Sequence, residues 1–320
     1  MKVESAGTTV VYRSLAEIPA GFGPSVAAIG NFDGVHRGHQ QILASVVAEA
    51  RERNARAVAV TFDPHPERVL RPLRAPLLLT PMEERLRLLA GTGVDAVVVL
   101  EFNQALAHIP PHEFVLRVLV EALCVCGLHE GGNFRFGHRA AAGVKELADF
   151  GAEFGFGLQV HPAVRVHGLE VSSSAIRELV ALGDIKCARW MLSRPFEVRS
   201  TSARGRGVGT RLLVPTVNLA RYDGLLPAFG VYVTRLTVGG ERCFQAVTNV
   251  GNRPTFEGVG FGVETHILDF EPVDLTEETP LQLEFLFRLR PEMTWSSPEA
   301  LKEQIFKDVS RAKRYFRLAR

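Results

Sequence analysis

SVAAIGNF (residues 25–32) runs straight into GNFDGVHRGHQQIL (30–43) and on through HQQILASVVAEARERN (39–54), and this junction decides the fold. The first segment is an apolar run that closes on Gly and Asn, as a strand does. The last carries Ile42, Val46, Val47 and Ala50 at helical spacing. Between them lies a glycine-bearing turn, so the unit reads strand, turn, helix. Working outward, the unit recurs. AVAVTF (57–62) and DAVVVLEF (95–102) are apolar without alternation, the mark of strands buried on both faces. PMEERLRLLAGTG (81–93) reads as a helix with Thr80 as cap and Pro81 in its first turn, and FVLRVLVEALCV (114–125) as another. Strands alternating with helices predict a doubly wound, Rossmann-like parallel sheet whose ligand sits at the carboxyl ends of the strands.

The chain changes character near 186–196, with no Gly/Ser linker at the change. Beyond it come FEVRST, GVYVTRLTV, ERCFQAVTNVG, VETHILDF and LQLEFLFRLR, short runs punctuated by Gly and Pro. Gly239-Gly240 between two alternating runs predicts a hairpin. Several short strands at this spacing predict a small antiparallel β-barrel. SSPEALKEQIFKDVSRAKRYFRL then reads as a capped C-terminal helix. Two domains are expected, 1–187 and 188–320.

Of 320 residues, 46% are apolar, 22% charged and 8% aromatic, which excludes disordered, collagenous and coiled-coil classes. A net charge of +2 makes no case for a nucleic-acid partner. No apolar stretch is long enough to span a membrane, and MKVESAGTTVVYRS has no apolar core of the signal-peptide kind. Four cysteines (Cys124, Cys126, Cys187, Cys243) are too scattered for a disulfide framework, so a cytoplasmic location is expected.

The junction also carries chemistry. Gly34 and Gly38 allow close approach of a phosphate, and the helix start offers N–H donors and the positive end of a dipole. His36 and His39, three apart, face one side and could hydrogen-bond phosphate oxygens. VSSSAIRELVALGDI (171–185) sets serines at a helix start with Arg177 close behind, a second phosphate-binding pattern.

Taken together, GNFDGVHRGHQQIL, TFDPHP (61–66), GGNFRFGHRAAAG (131–143), SSSAIR (172–177), PTVN (215–218), VTNVGNRPTF (247–256) and VETHILDF (263–270) resemble the bacterial bifunctional riboflavin kinase/FMN adenylyltransferase (FAD synthetase) family over nearly the whole chain. The resemblance implies a nucleotidyltransferase domain that moves AMP from ATP to FMN, followed by a barrel that phosphorylates riboflavin. It implies His36 and His39 as the catalytic pair of the first site, with Asn31, Phe32, Gly34, Gly38, Ser173, Ser174 and Arg177 on ATP. Asn133, Arg135 and His65 would border FMN; the residues alone leave His65 open as a turn residue fixed by Pro64 and Pro66.

For the barrel, the resemblance implies Glu264 as the catalytic carboxylate and Gly205, Gly209, Pro215 and Thr216 on ATP. Thr216 and Asn218 would hold Mg²⁺, and Arg253 would meet the flavin. Read without the family, Glu264 is a solvent-facing strand residue. ATP as co-substrate, Mg²⁺, and riboflavin and FMN as partners follow from the resemblance. GRGVGTRLLVPTVN (205–218) departs from the family loop: Thr210, Leu213 and Val214 stand for the usual Arg, Gly and Phe. Arg204, Arg206 and Arg211 crowd the same loop. That departure leaves an alternative, a monofunctional FAD synthetase whose barrel only binds flavin. Cys124 and Cys126, with His129 nearby, lack the ligands for zinc and are expected to be buried thiols. His108 and His112 are separated by prolines that forbid a shared helix face, and RAKRYFRLAR reads as a solvated face.

Overall fold

The computed structural model describes residues 9–203, 216–220, 222–255, 258–269 and 275–319. Contacts divide the chain into two compact units, Met1–Ser173 and Ser174–Arg320.

The first unit is built on β1 (Val10–Tyr12), β2 (Ser25–Ile29), β3 (Arg56–Asp63), β4 (Ala96–Glu101), β5 (Val125–Gly131) and β8 (Gly157–His161). They pair in the order β1-β4-β3-β2-β5-β8, all parallel. Every residue of β2 is buried, which explains why its sequence shows no alternation. One face packs Ala27, Ile29, Val58 and Val60 against Phe114, Val118 and Leu147. The other packs Val26, Ala28, Ala57 and Ala59 against Leu43, Val46 and Ala50 of α1 (Arg37–Glu52). Two small hairpins, β6/β7 (Arg135–Phe136, Ala142–Gly143) and β9/β10 (Arg165–Val166, Leu169–Glu170), decorate the sheet.

Two helices differ from expectation. After the short α2 (Pro66–Leu70), α3 (Met82–Ala90) takes Pro81, not Thr80, at its cap position. Thr80 is occupied elsewhere: its hydroxyl accepts from the Gly34 amide at 2.9 Å. The expected helix over 114–125 is instead the end of α5 (Pro111–Phe114), which follows α4 (Gln104–Ala107), continued by a π-helical stretch, Val115–Ala122. Cys124 beyond it takes a left-handed conformation and is exposed, and Cys126 is half-buried, so the expectation of two buried thiols fails.

The boundary falls after the first residue of α7 (Ser173–Leu182, after α6, Val144–Phe154), and the second unit continues with α8 (Ile185–Leu192). Then β11 (Phe196–Ala203), β12 (Thr216–Leu219), β13 (Gly230–Val238), β14 (Arg242–Thr255), β15 (Gly258–Ile267) and β16 (Pro280–Pro291) close an antiparallel barrel in the order β11-β12-β15-β14-β13-β16. Gly239 and Gly240 make the β13–β14 turn with φ of 63° and 80°, as the sequence predicts. α9 (Pro298–Leu318) is capped by Ser297 and lays Ala312 and Phe316 on Val231, Val233 and Leu286. Asp308 of α9, 3% exposed at its side chain, holds Arg290 of β16 at 2.9 Å. Within the barrel wall, the buried hydroxyls of Thr234, Thr248 and Thr265 form a ladder at 2.7 and 3.0 Å.

Candidate active site

β2 ends at Ile29, and the next seven residues turn back into α1. In that turn Phe32 and Val35 join Gly34 in the left-handed region, with φ of 46°, 38° and 87°. Two non-glycine residues there store strain, which persists only where the surroundings over-determine the backbone. Here they do. The fully buried Asp33 accepts from the Leu79 amide (3.0 Å), the Thr80 amide (2.9 Å) and the Thr80 hydroxyl (3.1 Å). Thr61 Oγ1 donates to Asn31 O at 3.2 Å, and Ser173 Oγ donates to Asp33 O at 2.8 Å. The turn is therefore tied to β3, to the segment before α3 and to the first residue of α7.

His36 is the cap of α1, accepting from the His39 amide through Nδ1 at 3.4 Å. The two imidazoles stack with centroids 3.5 Å apart and planes 16° apart, and Phe32 meets His39 edge-on at 5.2 Å. A Cβ on Gly38 would lie 3.3 Å from the His36 ring, so this glycine leaves room for the stack. Burial first, then the charges of His36 and Arg85, hold His39 well below the ordinary imidazole range. His39 is thus neutral at pH 7, and its buried Nδ1 has no hydrogen-bond partner among the described residues. A neutral, partly unsatisfied imidazole beside the positive end of a 16-residue helix suits a phosphate oxygen.

Sequence reasoning missed Asp33, Thr80 and Arg85. Arg85, 1% exposed, lies 3.9 Å from Asp33 and donates to Phe62 O and Thr80 O at 3.4 Å each. A signal existed for each end of this pair. Asp33 is an acid inside a phosphate-binding turn, tolerable only if its charge is spent internally. Arg85 occupies an apolar position of α3, between Met82 and Leu89 on the buried face.

The remaining residues of the first site fall out as follows. His65 is buried at the end of β3 and caps α2, its Nδ1 accepting from the Glu67 amide at 3.2 Å. Asn133 is exposed in the turn after β5, and Arg135 is exposed with Nε on Ala140 O. Ser174 is exposed and Arg177 half-buried on α7. His108 stacks on His138 at 4.9 Å, away from His112, which lies 3.3 Å from Glu153.

In the barrel, strand register sets Asn218 of β12 directly across from Glu264 of β15, and Glu264 across from Asn249 of β14. Thr216 lies across from His266, two residues along the same face. Asn249 is the member of this row that sequence reasoning overlooked. Alternation turns the row to the face opposite the Thr234–Thr248–Thr265 ladder. Gly205, Gly209, Thr210, Leu213, Val214 and Pro215 lie outside the described residues, with Arg204, Arg206 and Arg211, as does the side chain of Arg253.

A family profile described as FAD synthetase matches residues 20–175, and one described as riboflavin kinase matches 192–316. The bifunctional riboflavin kinase/FMN adenylyltransferase of Pseudomonas fluorescens is 37% identical over 289 residues, covering 90% of this chain and 92% of its own length. The chain belongs to the bifunctional riboflavin kinase/FMN adenylyltransferase family. The Escherichia coli K12 protein of the same description is 33% identical over 92% of this chain and 94% of its own. A crystal structure described as a macrolide-efflux protein from Streptococcus pneumoniae superposes with a TM-score of 0.86 at 26% identity, covering 96% of this chain and 99% of that one. No helix among the described residues here is long and apolar enough to cross a membrane. The stacked histidines thus stand within the adenylyltransferase match, and the Asn218–Glu264–Asn249 row within the kinase match.

Proposed function

We propose that this chain makes FAD in two steps, phosphorylating riboflavin with ATP and then transferring AMP from a second ATP to the FMN formed. The single observation that carries the reading is the pairing of both family matches with most of the length of relatives at 33–37% identity. The alternative of a barrel that only binds flavin is not favoured on the same ground. We place adenylyl transfer in 1–187 and the kinase in 188–320.

In adenylyl transfer the FMN phosphate oxygen attacks the α-phosphorus of ATP in line. A P–O bond forms to FMN as the α–β bridge breaks, and pyrophosphate leaves with the electron pair. Positioning and charge stabilisation do the work. His36 and His39 face the α/β-phosphates; the neutral His39 donates a hydrogen bond to the charge that develops there. Asn31, Phe32, Gly34 and Gly38 shape the phosphate turn, and Ser173, Ser174 and Arg177 hold the departing β/γ-phosphates. His65, Asn133 and Arg135 border FMN.

In the kinase, Glu264 takes the proton of the riboflavin 5′-hydroxyl as that oxygen attacks the γ-phosphorus. Gly205, Gly209, Pro215 and Thr216 hold ATP, and Arg253 meets the flavin. Thr216 and Asn218, on one face of β12 beside Glu264, are the oxygen donors that would hold Mg²⁺. When bound, that ion neutralises phosphate charge. The place of action is the cytoplasm, in keeping with four free thiols.

A chromatographic time course with MgATP and either riboflavin or FMN tests the reading. FAD from both starts is expected. FAD from FMN alone would remove the kinase step, and no FAD from either would remove the reading altogether.

A further inference from the structure

Glu130 is a buried acid that neither half of the reaction above uses. It sits one residue from the end of β5, 3% exposed, and its Oε1 accepts from the Ile29 amide at 2.7 Å. The sheet explains the need for that bond. On the β3 side, β2 stays paired as far as Ile29↔Val60. On the β5 side, pairing stops at Ala27↔Leu128. The two strands part there, at the point where the sheet order reverses, with β3 and β4 on one side of β2 and β5 and β8 on the other. Such a crevice is where ligands enter a doubly wound sheet. It also strips Ile29 N–H of its strand partner, and a buried amide must find another. Immediately after Ile29 comes the strained turn that presents His36 and His39.

We propose that Glu130 is a positioning residue for adenylyl transfer, its carboxyl bridging the gap between β2 and β5 and thereby fixing the Ile29–Asn31 end of β2 on which the histidine turn stands. The proposal rests on the placement of the adenylyltransferase site at His36 and His39.

An apolar side chain would leave the amide bare, and a surface acid would be ionised. Glu130 is neither. Burial pushes its carboxyl well above the ordinary range, and the Ile29 amide only partly offsets this. No charged neighbour contributes. β2, Ser-Val-Ala-Ala-Ile, presents no charge to β5. β8 presents His161, which hydrogen-bonds His129 at 3.0 Å. α1 presents Glu49, which takes the other nitrogen of His129 at 2.7 Å and pairs with Arg53 at 2.8 Å. These groups are satisfied around His129, whose side chain alternates away from that of Glu130. Arg135, beyond the next turn, is exposed on Ala140 O. Glu130 therefore holds its proton to higher pH than an exposed carboxyl does. Ionisation strengthens the bond to the Ile29 amide but leaves an uncompensated charge in a dry gap, and the cost of desolvating it draws water between β2 and β5.

The test compares Glu130→Gln, Glu130→Leu and the unaltered chain in FAD formation from FMN and MgATP between pH 6.5 and 10, with riboflavin phosphorylation followed in the same samples. Gln keeps an oxygen for Ile29 N–H and cannot ionise. It is expected to hold kcat/KM for ATP within about threefold at pH 7, where an amide oxygen takes the place of the carboxyl oxygen on the Ile29 N–H. It is also expected to abolish an alkaline decline that the unaltered chain shows. Leu leaves the amide unsatisfied and is expected to lose roughly tenfold to a hundredfold in adenylyl transfer, with riboflavin phosphorylation unchanged. A purely structural Glu130 would leave the pH profile of the Gln variant equal to the original, and that result overturns the proposal. Full adenylyl transfer in the Leu variant also overturns it. If the first unit of the Leu chain does not fold, which a circular dichroism melt would report, the Gln profile alone decides. An unaltered chain that makes no FAD from FMN defeats the site reading, and the proposal with it. Activity with coincident profiles defeats the proposal alone.

Discussion

Replacing Asp33 by Ala separates what holds the adenylyltransferase turn from what reacts in it. The carboxylate and Arg85 are each 1% exposed and 3.9 Å apart, so the substitution takes a carboxylate from beside a buried guanidinium. Breaking one side of such a pair costs about 3–5 kcal/mol. The amides of Leu79 and Thr80 lose their acceptor as well, a cost that overlaps the first because the groups form one network. Against a total stability of about 5–15 kcal/mol, the loss is a large fraction. At roughly 2–4 °C per kcal/mol for a unit of this size, the melting transition of the first unit falls by roughly 6–20 °C. Circular dichroism melts, with riboflavin phosphorylation at 25 °C as a control on the second unit, measure it. FAD formation from FMN is expected to collapse while phosphorylation persists. Asp33→Asn, which keeps one acceptor oxygen, is expected to fall between. A melting point of Asp33→Ala within about 4 °C of the original, equal to a loss of about 1–2 kcal/mol, would refute the reasoning.

Three further outcomes are expected. His36→Ala cuts FAD formation from FMN by about 10²-fold or more, as loss of a transition-state donor does, and leaves riboflavin phosphorylation nearly untouched; equal loss of both activities would exclude separate sites. Glu264→Gln does the reverse, lowering phosphorylation by about 10²-fold or more while FAD still forms from added FMN. In acid, His39 and His161 act together. Burial, with the neighbouring imidazoles and, for His39, Arg85, holds both below the ordinary imidazole value of about 6.5, so the unfolded chain binds more protons than the native one as pH falls through that value. Stability therefore drops with acidification from that point. His161→Gln should shrink the difference between urea midpoints at pH 7 and pH 5, and an unchanged difference would count against the assignment.

The two architectures were legible because they rest on short-range patterning. Uniformly apolar strands such as AVAVTF signal burial on both faces, and the Gly239-Gly240 turn signals a hairpin, whatever the rest of the chain does. His36 and His39 were legible for the same reason: three residues at a helix start place two rings together through local geometry alone. β1, β5 and β8 were not. β5 carries His129 and Glu130 where an apolar run would be expected, and its burial depends on partners far along the chain, Glu49, His161 and Ile29. Likewise the π-helical stretch and the exposed Cys124 follow from how the chain must enter β5, which periodicity does not report.

The sequence by itself determined the alternation of strands and helices through the first half, the two domain types and the histidine turn, since each is encoded within about ten to fifteen neighbouring residues. Only the tertiary structure decided that Asp33 meets Thr80 and Arg85, that Asn218, Glu264 and Asn249 line up across three strands, and that Glu130 closes the gap beside Ile29. Those contacts join residues tens of positions apart, and their energy exists only once strand register has brought the groups together and removed water from between them.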